Sequence, residues 1–210
     1  MIREVVQNVL DNNFDLIVDE ICEYFGEEYE KELKSRADKV TISLIKDNGV
    51  ISTKNGDVYV GDEPVCIKQD DASHVIIPLS MVCDTRGNVS FIHVLIHALS
   101  DEVFIKDNKD AFNETVVDYM ANEIAKQLKE SGINVTMSNN PIYESNSFYS
   151  NMFSEIEEFY DENIEKIISA RMGQHVEFKD ADEYIDGAQE VVDKAFMQEI
   201  SKEDFVIKRR

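Results

Sequence analysis

Apolar residues fall on a helical period at the start of the chain, where Ile2, Val5, Val6, Val9, Leu10, Phe14, Ile17, Val18, Ile21 and Phe25 recur every three or four positions. Such a stripe predicts an amphipathic helix that Gly26 interrupts. The charged stretch EEYEKELKSRADK then reads as a short helix with a solvated face. From Val40 the period shortens. The runs VTISLI, DVYVG, PVCIKQ and HVIIPLSMV, separated by DNG, KNGD and GDEP, predict a small sheet with a hairpin turn at Asn55 and Gly56. Pro78 offers no backbone donor, which places the last run at a sheet edge or a bulge.

After the turn DTRGN, where Thr85 or Asn88 is a capping candidate, the pattern changes again. Phe91, Ile92, Val94, Leu95, Ile96, Ala98 and Leu99 form a helix whose only polar positions are His93 and His97. A helix so apolar belongs in a core. A second helix is predicted through NETVVDYMANEIAKQL, starting at Asp110 or Asn113, running to Lys129 and stopping at Gly132. Pro141 precedes a long stripe through Phe148, Met152, Ile156, Phe159, Ile164, Ile167 and Ile168, then a break at Gly173 and a last helix, YIDGAQEVVDKAFMQEI. Helix (1–39), small mixed sheet (40–83), two central helices (84–129) and a helical remainder (130–210) together predict one α+β domain.

Residues four apart lie one above the other on a helix, so His93 and His97 share a face, as do Glu114 and Asp118. Burying two imidazoles without partners costs on the order of a few kcal/mol each, so something must satisfy them. Taken alone, the His spacing also fits two core imidazoles bonded to carbonyls or carboxylates. Glu114 alone also fits a solvated helix carboxylate, Asp118 a surface one, and Asn113 a helix cap.

His93 and His97, followed by Asn113, Glu114 and Asp118, resemble the zincin metallopeptidases of the gluzincin type, whose pattern is HExxH on one helix and NExxxD on a later one. The resemblance implies a zincin-like fold and a Zn²⁺ ion held by His93, His97 and Glu114, with Asp118 bracing a ligand histidine and Asn113 beside it. It further implies that the strand His74 to Ser80 borders the substrate cleft, where a peptide or protein would lie. The gap from His97 to Glu114 is shorter than in the thermolysin-like members, and one position departs outright. Val94 stands where the family has its catalytic Glu. That Glu is a general base, typically worth 10²- to 10⁴-fold in rate, or roughly 3 to 5 kcal/mol. It is not a ligand, so the expected protein keeps its metal and hydrolyses poorly or not at all. A metal-free acidic interaction module on the same fold is the alternative, and a hydrolase using Glu102 as base ranks last.

A net charge of −22 argues against nucleic acid, whose affinity rests on Lys and Arg, and against an anionic membrane surface. The N-terminus lacks the form of a secretory signal. Cys22, Cys66 and Cys83, odd in number and widely spaced, fit reduced thiols in a cytoplasm and are expected as buried small hydrophobes. His74 and His175 are expected to be exposed or in loops, and Tyr143 and Tyr149 to be core or rim aromatics.

Overall fold

The computed structural model describes residues 2–46, 48–53, 56–102, 110–144 and 153–176. In order these form α1 (Ile2–Phe25), α2 (Glu30–Ala37), β1 (Val40–Ile45), β2 (Gly49–Thr53), β3 (Gly56–Val60), β4 (Val65–Gln69), β5 (Ala72–Pro78), α3 (Leu79–Cys83), α4 (Gly87–Leu99), α5 (Asp110–Glu130) and α6 (Phe153–Arg171). The protein is α+β, with a small sheet and six helices among the described residues. No helix among these residues is long and apolar enough to cross a membrane. The expected last helix, Tyr149 and the turn residue Asn55 lie outside the described residues.

The chain divides into two compact units, Met1–Asp101 with Val117–Ser145, and Glu102–Val116 with Asn146–Arg210. In the first, three strands are ordered β1-β5-β4, with β1 parallel and β4 antiparallel to β5, so the sheet is mixed as expected. The hairpin β2–β3 forms a separate antiparallel pair. In the second unit, α6 buries Phe159, Tyr160, Ile167 and Ile168.

Two expectations about the run HVIIPLSMV are corrected. It is not one strand, because after Pro78 the chain turns into the short helix α3. Nor does it lie at an edge, since β5 is the middle strand. Pro78 is tolerated there as the strand's last residue, opposite Ile45, where the ladder ends. The buried succession Val75, Ile76 and Ile77 is what a strand covered on both faces requires.

α4 lies against β4, β5, α2 and α3. Phe91, Ile92, Val94, Leu95, Ile96, Ala98 and Leu99 are all buried, leaving His93 and His97 half-buried on the remaining face. Neither Thr85 nor Asn88 caps this helix. Arg86 occupies the cap position but its side chain makes no capping bond to the helix, and the turn before it is closed by Asp84, whose carboxylate accepts from the Arg86 backbone N–H at 2.8 Å and from its guanidinium. That guanidinium holds the Asp84 carboxyl below the usual carboxylate range. Asn88 is instead a buried brace, its Oδ1 accepting from the Val135 N–H at 2.9 Å.

Gly87 is required by close approach. A Cβ there would meet the Met81 carbonyl oxygen at 2.5 Å and Thr136 Cγ2 at 2.6 Å. Backbone cannot yield as a flexible side chain can, so Gly87→Ala is expected to destabilise the fold by about 1–3 kcal/mol. A denaturant midpoint unchanged by this substitution would contradict the packing described for the start of α4.

Candidate metal centre

The apolar stripe of α4 fixes the direction in which its two histidines point, because rotating the helix to hide them would expose Leu95 or Ile96. His97 Nε2 lies 3.2 Å from His93 Nε2, with the ring centroids 4.9 Å apart and the planes tilted by 51°. On its other side, His93 Nδ1 lies 3.3 Å from Asp118 Oδ1, a carboxylate only 7% exposed. A carboxylate accepts and cannot donate, so the ring nitrogen facing it carries the proton. The lone pair of His93 is then on Nε2, turned toward His97.

Glu114 precedes Asp118 by one turn of α5. One ligand atom each from His93, His97 and Glu114 lie within 4.8 Å of one another, so this half-buried group could hold a metal ion. Zinc bound tetrahedrally at about 2.0–2.1 Å from each nitrogen separates two ligand nitrogens by about 3.3 Å. The two imidazoles already stand at that spacing.

The other candidates fall elsewhere. Val94, at the general-base position of the family pattern, is 2% exposed. Glu102 is exposed and lies beyond α4. Asn113 is the fourth residue of α5, inside its first turn, so it is not the helix cap. His74 is neither exposed nor in a loop but half-buried on β5, with Nε2 2.9 Å from Ser43 Oγ. His175 is exposed beyond α6. Tyr143 is a strut, its hydroxyl donating to the Ile133 carbonyl at 2.7 Å, and burial pushes its pKa up. Cys22 is buried as expected, its thiol pKa raised by that burial; Cys66 is half-buried and Cys83 exposed, where burial was expected, and none of the three is in a disulfide.

Three groups that no motif flagged surround the end of α4 just past His97. Ser73, Arg36 and Lys68 donate to the carbonyls of Ala98, Leu99 and Ser100 in turn. Fold and site together define an α+β protein with a candidate centre of two histidines and one glutamate. No protein-family model, curated protein or solved structure matches the chain.

Proposed function

We propose that this chain is a zincin-like protein of the gluzincin type that binds Zn²⁺ through His93, His97 and Glu114, and that holds a peptide without cutting it efficiently. The support is that the two Nε2 atoms stand 3.2 Å apart, that one ligand atom each from His93, His97 and Glu114 lie within 4.8 Å of one another, and that Asp118 lies on the far side of His93. The donor set suits zinc, which takes imidazole nitrogen and carboxylate oxygen and, with three protein ligands, keeps a position open. Asp118 fixes the tautomer of His93, the usual role of a carboxylate behind a ligand histidine. Bound zinc would polarise a carbonyl and acidify a water. With valine at position 94, no side chain there takes that water's proton.

A metal-free role is the second reading, and one observation favours it. At 3.2 Å the His97 Nε2–H can donate to the His93 Nε2 lone pair while the His93 Nδ1–H donates to Asp118, which satisfies the pair without an ion.

Zinc content separates the two. Protein purified without chelator, loaded and desalted should retain about one equivalent, and zinc in hundredfold excess over its dissociation constant should stabilise the fold by about 2.7 kcal/mol. That corresponds to a rise in Tm of about 5–10 °C for a chain of this size. Under about 0.1 equivalent, with no thermal shift, leaves the metal-free reading.

A further inference from the structure

Where α4 ends, the chain leaves the helix through Ser100 in an extended conformation (φ −126°, ψ 163°). The left-handed residue that closes α5, Gly132 at φ +71°, has no counterpart there. The last carbonyls of α4 are satisfied by side chains instead. Ser100 bonds Ile96 O through both its N–H and its hydroxyl, at 3.0 and 2.6 Å. Ser73 of β5 donates to Ala98 O at 2.9 Å, Arg36 of α2 to Leu99 O at 3.1 Å, and Lys68 of β4 to Ser100 O.

Arg36 does the most among these. Its guanidinium forks onto the Asp101 carboxylate at 3.3 and 3.2 Å, which fixes the chain just after the helix. A further bond to Glu32 at 2.6 Å ties the same group to its own helix. His97 sits in the turn so held, whereas His93 lies a full turn earlier, within the helix.

We infer that Arg36 is a positioning residue for His97, holding the last turn of α4 so that the second imidazole meets the first at ligand spacing. This rests on the zinc site proposed above. A helix end frays before its middle does, and a metal ligand displaced by more than about 0.5 Å no longer closes the coordination shell. Loss of the guanidinium therefore moves His97 and spares His93. Electrostatics alone predicts the opposite. Removing a cation and leaving Asp101 unneutralised makes the region more negative, which tightens the binding of a divalent cation.

Calorimetric zinc binding to the full chain reads that sign. Arg36→Met is expected to weaken zinc about tenfold, the scale of lost support behind a ligand, and Arg36→Lys to recover part of it. Arg86→Met, which removes the same charge at the opposite end of α4, should leave affinity unchanged or higher. In the metal-free protein, Arg36→Met should speed hydrogen exchange at the Ser100 amide about tenfold, leaving the His93 amide alone. Should Arg36→Met not fold, Asp101→Asn, which breaks one arm of the fork, is read by exchange at the Ser100 amide alone, since its lost charge weakens zinc by itself.

Zinc affinity equal to or above wild type in Arg36→Met overturns the inference, whether or not exchange at Ser100 changes. A wild type that takes up no zinc ends the proposed function instead. Unchanged exchange at Ser100 then overturns the hold on the last turn, and faster exchange upholds it.

Discussion

On the proposed zincin reading, Val94→Glu in the zinc-loaded protein is expected to raise peptide hydrolysis by 10²- to 10⁴-fold, because it puts a carboxylate at the position that the family pattern gives to its general base. At about 1.36 kcal/mol per factor of ten this is roughly 3 to 5 kcal/mol of transition-state stabilisation. Val94 is 2% exposed, so the new carboxylate replaces a buried apolar side chain. Without metal, a buried carboxylate lacking partners is costly, and the variant should lose stability when zinc is removed by more than the wild type does. Rates on a mixed peptide library, with and without chelator, check both halves. A variant that binds zinc as the wild type does yet cleaves nothing would show that residue 94 does not face the reacting centre.

Asp118→Ala should weaken zinc by 10- to 100-fold, the usual consequence of removing a carboxylate behind a ligand histidine. The same change leaves the His93 Nδ1–H without the acceptor it has at 3.3 Å, so the metal-free fold should lose about 1–3 kcal/mol. Asp118→Asn keeps an oxygen in place without the charge and should fall between the two proteins in both measurements. Calorimetry and denaturant unfolding supply the values. Equal zinc affinity in Asp118→Ala and wild type would mean that Asp118 is only a helix carboxylate that happens to lie near a ring.

Much of the frame was legible in the order of residues because local periodicity dictates it. The stripe from Ile2 to Phe25 is α1, the run VTISLI is β1, and the apolar stretch around His93 and His97 is a helix buried on every other face. The grouping of His93, His97 and Glu114 was also legible, since a spacing of four puts His93 with His97, and Glu114 with Asp118, on one helix face each, and a family resemblance supplied the pairing of the two helices. Strand neighbours were not. β5 pairs with β1 across more than thirty residues, and a single Pro78 pointed to an edge although the unbroken run Val75 to Ile77 carried the signature of a strand covered on both faces. Arg36 was hidden for the same reason. Its charged surroundings read as a wet helix face, while its partners Leu99 and Asp101 lie more than sixty positions away. Caps escaped too, because Asn88 looks like a helix start in sequence and serves in space as an acceptor for Val135.

X-ray absorption at the zinc edge, on the loaded wild type and on Glu114→Ala, tests the central claim most directly. The wild type should show two imidazole nitrogens and a carboxylate oxygen at about 2.0–2.2 Å, and Glu114→Ala should lose that carboxylate contribution along with most of its affinity. A sulfur shell at about 2.3 Å, the signature of thiolate ligands such as the exposed Cys83, or a spectrum indifferent to Glu114→Ala, would contradict it.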